Sequence, residues 1–210
     1  MRFRWSEEDE NMQVNRYLTR EEAERLQDVK IGIGGAGGLG SNAAMHLVRA
    51  GIGHLVIADF DTVNESNLNR QFFFCDQVGR LKTEALAENL WRINPDLRLE
   101  LHSVRVTAEN ILPIFESCDL FIEAFDGVES KALFVHGLLP LGRPVIAASG
   151  LAGWGATNAM QVRKAGNNLY LAGDLKSGIG EELAPHSARV GIAAAQEANI
   201  ALALLLGKEI

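Results

Sequence analysis

The 210-residue sequence predicts an α/β fold: a mainly parallel sheet with helices on both faces and antiparallel strands added at its C-terminal end. Three observations carry that expectation. Short apolar runs alternate with amphipathic stretches at the spacing of strand–helix units, which implies parallel strands joined by crossover helices. The first run opens into Gly35-Ala36-Gly37-Gly38-Leu39-Gly40, a GxGxxG pattern between an expected strand and an expected helix, as in Rossmann-like folds. After Gly150 the alternation gives way to glycines and two short strand-like stretches with no helix between them.

Residues 1–15 are polar and aperiodic, an arm rather than a core segment. A helix is expected over 19–27, because Thr19 followed by Glu22 has the spacing of a capping box. Residues 29–34 (VKIGIG) read as the first buried strand and 54–58 (HLVIA) as the second. Between them, 41–50 is a helix with Ala44, Leu47 and Val48 on one face. Residues 81–93 form an amphipathic helix stopped by Asn94-Pro95. Leu97, Leu99 and Leu101 alternate with Arg98, Glu100 and His102, the period of a half-buried strand. Thr107 is placed to cap a helix carrying Ile111, Ile114 and Phe115. A strand over 119–125, a helix over 129–139 and a strand over 144–148 complete the alternation. Residues 157–162 and 168–171 are the antiparallel additions, and a loop over 173–187 leads to a last helix at 190–206. With neither repeat nor linker, the chain divides only into an arm and helix (1–28) and a nucleotide-binding domain (29–210).

The charge balance, 20 basic against 27 acidic residues, leaves a formal net charge of −7. No basic surplus is available to neutralise a phosphate backbone, so nucleic acid is not an expected partner. Cys75 and Cys118 belong to no CxxC pair, so no structural zinc is expected, and a reducing cytoplasm is the expected setting. The N-terminus lacks the apolar core of a signal peptide, and the most membrane-like stretch, 200–206, is too short to span a bilayer. A membrane is not expected either. The five histidines form no ligand pattern.

The glycine pattern has a physical reason: backbone amides approach a phosphate closely only where no Cβ intervenes, and the helix start adds partial positive charge. Gly35, Gly37 and Gly40 are therefore candidate nucleotide-binding positions. Asp59, at the end of the second strand, stands where a carboxylate meets ribose hydroxyls. Those features alone equally describe an NAD-dependent oxidoreductase. Downstream residues separate the two readings. Ser66-Asn67-Leu68-Asn69-Arg70-Gln71 is followed by Lys82 at a helix start, and Asp126 ends the fourth strand. Strand C-termini of an open parallel sheet line one crevice, so the glycines, Asp59 and Asp126 are expected to converge there with Arg70 and Lys82. Two cations and an acid suited to Mg²⁺ serve attack on an α-phosphate and departure of pyrophosphate; hydride transfer has no use for them.

At these residues the sequence resembles the ThiF/MoeB/HesA superfamily of ubiquitin-activating-enzyme-like adenylyltransferases. The resemblance rests on residues 29–71, with DFD and SNLNRQ after the glycine loop, and on Lys82, Arg92-Ile93-Asn94-Pro95 and Asp126. In length and in its alanine-rich last helix the chain is most similar to the short ThiF proteins of thiamine biosynthesis. The resemblance implies ATP bound by Gly35, Gly37, Gly40 and Asp59, phosphate contacts from Asn67, Arg70 and Lys82, and Mg²⁺ on Asp126. Arg70, Lys82 and Asp126 would be catalytic. It implies adenylation of the C-terminal glycine carboxylate of a ThiS-like ubiquitin-like sulfur carrier protein ending in Gly-Gly. It also implies a homodimer in which an arm arginine, here Arg16, reaches the other subunit. The chain departs from longer members in having no cysteine after Cys118, hence neither their zinc pairs nor their later reactive cysteine. That departure leaves a catalytically silent nucleotide- or carrier-binding scaffold as a further alternative. Cys75 and Cys118 read as packing or incidental.

Overall fold

Thr19 caps helix α1 (Arg20–Asp28) as its spacing to Glu22 requires. The Thr19 hydroxyl accepts the Glu22 N–H at 3.2 Å, and Glu22 Oε2 accepts the Thr19 N–H at 2.9 Å. The computed structural model describes residues 18–178 and 184–210, so the arm and Arg16 lie outside the described residues. Beyond α1 the chain alternates β1 (Lys30–Gly34), α2 (Gly38–Ala50), β2 (His54–Ala58), α3 (Lys82–Trp91), β3 (Arg98–His102), α4 (Ile111–Phe115), β4 (Leu120–Glu123), α5 (Val128–Leu138) and β5 (Val145–Ala148). Strands β6 (Gln161–Lys164) and β7 (Leu169–Gly173) and helix α6 (Ser187–Leu205) follow.

The seven strands form one sheet in the order β3-β2-β1-β4-β5-β7-β6. All neighbouring pairs are parallel except β6–β7. The late hairpin is thus antiparallel within itself, but β7 runs parallel to β5, with Ile146 opposite Tyr170. The chain leaving β5 passes over the neighbouring slot, descends as β6 and returns to fill it as β7. Residues Thr157–Ala159 are a single 3-10 turn rather than the start of that strand. Thr107 does not cap α4: its N–H donates to Asn110 Oδ1 at 2.7 Å, and the helix begins at Ile111. An asparagine that folds back on the preceding turn outcompetes the threonine as the local acceptor.

Side-chain alternation along β1 sorts the core into two layers. Ile31 and Ile33 join the cluster built with α2 and α6, while Phe115, Phe121, Phe134 and Leu138 pack on the opposite face with α4 and α5. Gly32 faces that second layer, where a Cβ would sit 2.7 Å from the Phe115 ring. Helix α6 is the one described helix long and apolar enough, by length and composition, to cross a membrane. Here Ala193, Ala194, Ala198 and Ala201 bury it against α2 within the first layer.

The connection from β7 into α6 is pinned by Arg189. Its guanidinium pairs with Asp174 and donates to the Gly155 carbonyl at 2.7 Å. Burial alone would push the Asp174 carboxyl up, but the Ser177 and Lys176 amides, the Ser177 hydroxyl and Arg189 outweigh it and hold it at about 2.

In the middle of α6 lies Glu197, fully buried, with no hydrogen-bond partner for either carboxylate oxygen among the described residues. Burial, and then the nearby Glu123 carboxylate, push its pKa well above the ordinary carboxylate value, so the fold disfavours its charged form. A carboxyl whose folded pKa is raised contributes most below its unfolded pKa, and that contribution is lost as pH rises through the folded value. Glu197→Met, which keeps the volume and removes the orphaned oxygens, is therefore expected to stabilise the protein by about 1–3 kcal/mol. In thermal denaturation this is a rise of several degrees, larger near pH 8 than near pH 4. A Tm lowered at both pH values would show that the carboxyl serves the fold.

Candidate nucleotide site

The strand order reverses at β1: β2 and β3 lie on one side and β4 and β5 on the other. The crevice at such a switch point, outside the carboxyl ends of the strands, is where open α/β sheets bind ligands. The glycine loop follows β1, Asp59 follows β2 and Asp126 follows β4, so all three leave the sheet at this end.

The glycines of the loop are there for different reasons. Gly35 has φ +99°, and a Cβ on it would lie 2.7 Å from the Ala124 carbonyl oxygen. At Gly40 a Cβ would lie 1.8 Å from the Gly35 carbonyl oxygen. The fold itself demands glycine at both. Gly37 differs: it is the N-cap of α2 with φ −79°, and the nearest atom to an added Cβ is Gln71 Nε2, at 3.8 Å. Among the described residues no atom explains its glycine. Helix α2 has no side-chain cap, so its leading N–H groups are left for an anion.

Asp59 is buried and braces the loop. Its Oδ2 accepts the Ala36 N–H at 2.6 Å and its Oδ1 the Asp61 N–H at 2.8 Å. Burial pushes its carboxyl up, against the pull of those two amides and of Lys82. Each oxygen keeps acceptor capacity for a ribose hydroxyl.

Arg70 lies along the first turn of α2, with its Cγ 3.5 Å from where a Gly38 Cβ would be. The Asn42 amide fastens it there, donating to the Arg70 carbonyl at 2.9 Å and to the Gly38 carbonyl at 2.6 Å. The Arg70 guanidinium donates to the Ser66 carbonyl at 3.1 Å and to Asn69 Oδ1 at 2.8 Å. Asn67 closes the 3-10 turn Glu65–Asn67, where its Oδ1 accepts the Asn64 N–H at 3.1 Å. Lys82, the first residue of α3, is buried and donates to Asp61 Oδ2 at 2.8 Å. Asp126 is exposed on the turn between β4 and α5. The structure thus places Asp59 and Arg70 each against the glycine loop, joins Lys82 to Asp59 through Asp61, and sets Asp126 on the neighbouring strand exit.

Sequence reasoning missed two residues here. Gln71 is buried, its Oε1 has no partner among the described residues, and its Nε2 faces the open side of Gly37. Asp61 holds Lys82; the repeated acid in Asp59-Phe60-Asp61 was its only signal. Among the described residues no three His, Cys, Asp or Glu side chains gather into a metal cluster. Cys118 is buried, and burial pushes its thiol up to about 12, while Cys75 is exposed.

The model of the ThiF family matches residues 9–208. The chain is 41% identical over 128 residues to the adenylyltransferase and sulfurtransferase UBA4 of Eremothecium gossypii, covering 60% of this chain and 29% of that protein. It is 34% identical over 123 residues to the probable adenylyltransferase/sulfurtransferase MoeZ of Mycobacterium tuberculosis, covering 58% and 31%. It therefore spans about a third of the length of these relatives. Among solved structures, the E. coli tRNA N6-threonylcarbamoyladenosine dehydratase TcdA in complex with ATP superposes with a TM-score of 0.84 at 22% identity, covering 92% of each chain. That likeness shows a shared fold.

Proposed function

The chain belongs to the ThiF family, and from that premise we propose that it is an ATP-dependent adenylyltransferase acting on the C-terminal carboxylate of a ubiquitin-like sulfur carrier protein ending in Gly-Gly. The supporting observation is the open cradle at Gly37. It has an uncapped helix start beneath it, Arg70 beside it and Gln71 Nε2 facing it. An ATP triphosphate would fill the space that a Cβ would occupy and offer acceptors to the leading amides and to Gln71 Nε2.

In this reading Asp59 receives the ribose hydroxyls and Gly35–Gly40 hold the phosphates, with Asn67 as a further phosphate contact. Arg70 and Lys82 neutralise charge as it moves onto the departing pyrophosphate, Lys82 sharing its ammonium between Asp61 and the α-phosphate region. Asp126 would hold Mg²⁺, an ion that takes one or two protein carboxylates and completes its shell with water and phosphate oxygens. When bound, that ion neutralises further phosphate charge. No general base is required, because the attacking carboxylate is ionised at neutral pH. Catalysis is positioning plus charge stabilisation. The net charge of −7 favours a protein carboxylate over a nucleic acid as acceptor. The resemblance to short ThiF proteins makes a ThiS-like carrier of thiazole synthesis the first to try, with the enzyme working as a cytoplasmic homodimer.

The deciding experiment is carrier-dependent ATP–pyrophosphate exchange with purified protein. Exchange that appears only with a Gly-Gly-ended carrier supports the reading. ATP bound without exchange would make the protein a scaffold, and NADH bound in place of ATP an oxidoreductase. Because the reaction joins a carboxylate to phosphorus, no thiol takes part. The double variant Cys75→Ser/Cys118→Ser is expected to keep exchange within about twofold of wild type, and a folded variant without exchange would reveal a covalent step.

A further inference from the structure

Beneath the crevice lies a buried ion pair that the proposed chemistry does not use. Glu123, the last residue of β4, has 1% of its side chain exposed. Its Oε1 accepts the Phe125 N–H at 2.8 Å, and both of its oxygens accept from Lys131 Nζ, at 3.2 and 3.0 Å. The same ammonium donates to the Ala148 carbonyl at 3.2 Å. One cation and one anion thus tie together the exit of β4, the first turns of α5 and the exit of β5.

What they hold still is in contact with the nucleotide loop. Ala124 donates its N–H to the Gly34 carbonyl at 2.8 Å. The Ala124 carbonyl oxygen lies 2.7 Å from the missing Cβ of Gly35, and its Cβ lies 3.2 Å from the missing Cβ of Gly40. The turn after β4 is therefore packed directly against the glycine loop, with no room between them even for a methyl group. The next residues of the turn are Phe125, whose amide Glu123 fixes, and Asp126. Burying the Glu123 carboxylate is costly, and an apolar residue would fill the same space without that penalty. A charged pair here is explained by the directional bonds it makes to two strand exits.

We infer that Glu123, held by Lys131, is a positioning residue for the nucleotide site, setting the turn that bears Asp126 and, through Ala124, the glycine loop against which ATP docks. The inference rests on the adenylation reading for its ligand, but its structural half can be tested apart from ATP.

The experiment compares Glu123→Gln, Lys131→Met and the double variant with wild type and with Ile52→Val, a core change just before β2 at the opposite end of the sheet. Native-state hydrogen exchange is expected to show lost protection at the Phe125, Gly35 and Ala36 amides in the first three and not in Ile52→Val. ATP affinity, measured by calorimetry without any carrier, is expected to fall about tenfold, and the KM for ATP in exchange to rise by the same factor with a smaller change in kcat. The double variant leaves no charge unpaired, so it keeps the test readable if a single variant fails to fold. Being one unit, the pair should show strong non-additivity, with the double no worse than the worse single. Unchanged protection at those amides in a folded variant overturns the inference, and so does lost protection with ATP affinity intact. Wild-type protein that binds no ATP would instead overturn the function it rests on.

Discussion

Lys82→Ala and Arg70→Ala should each lower carrier-dependent exchange about a hundredfold, the loss of roughly 3 kcal/mol expected when a charge-assisted transition-state contact is removed. ATP binding should weaken less, because negative charge on the pyrophosphate oxygens grows as the bond to the α-phosphorus breaks. The structure adds reasons to expect folded variants. Arg70 is held through its backbone carbonyl by Asn42, a bond that survives truncation of the side chain. Removing Lys82 strands only Asp61, whose side chain is 46% exposed and can turn to water. Arg70→Lys should restore little, since a point ammonium lacks the planar fork of a guanidinium. Asp126→Ala, at an exposed position, should abolish exchange with an unchanged melting curve. Exchange rates and calorimetric ATP affinities decide the matter: wild-type behaviour in all of these variants would reduce the cations to surface charges and end the adenylation reading.

Gly40→Ala is expected to have one of the largest effects of any single methyl group added to the described residues. Its new carbon would stand 1.8 Å from the Gly35 carbonyl oxygen, and backbone must move to admit it. Overpacking of that kind costs about 3 kcal/mol or more, or about 6–12 °C in Tm for a chain of this size, and ATP binding should disappear with the loop geometry. Gly37→Ala is the counterpart. Its carbon meets only Gln71 Nε2 at 3.8 Å, so the cost to stability should stay near the 1 kcal/mol of a poorer helix cap. ATP affinity should nevertheless fall at least about tenfold, because the carbon takes the place of the phosphate. Differential scanning calorimetry and ATP titration of the two variants separate a glycine the fold needs from one the ligand needs. If Gly37→Ala binds ATP as wild type does, the phosphates lie elsewhere.

What the sequence made legible was periodic or local. The Thr19–Glu22 cap, the second strand and the amphipathic α3 each announce themselves within a few residues, because the interaction that makes them spans one turn or one pleat. The glycine loop and Asp59 were visible as a strand–turn–helix signature, but not the bond between them. Ala36 and Asp59 are far apart in sequence, and nothing in their identities says that the carboxylate braces the loop as well as facing a ribose. Pairings across elements were hidden for the same reason: Lys82 with Asp61, Glu123 with Lys131, Glu197 with nothing. A charged residue in a sequence shows its charge and not its partner, so Lys82 read as a free cation and Glu197 drew no reading at all. Asn67 shows a related limit. The motif suggests a phosphate contact, but only the structure shows that the Asn64 N–H holds its Oδ1, leaving Nδ2 as the atom that could donate to a phosphate.

The two outermost strands have a consequence for how copies of this chain can meet. A sheet edge offers a row of unsatisfied peptide groups to any passing extended segment, and bare edges zip together into fibres. Here β3 ends the sheet on one side with Arg98, Glu100 and His102, and β6 ends it on the other with Gln161, Arg163 and Lys164. Charge stands guard along both margins. Joining two molecules through β6 would bring Arg163 and Lys164 against their copies, and joining them through β3 would strip water from Arg98 and Glu100. Extension of the sheet from one molecule to the next is thereby disfavoured.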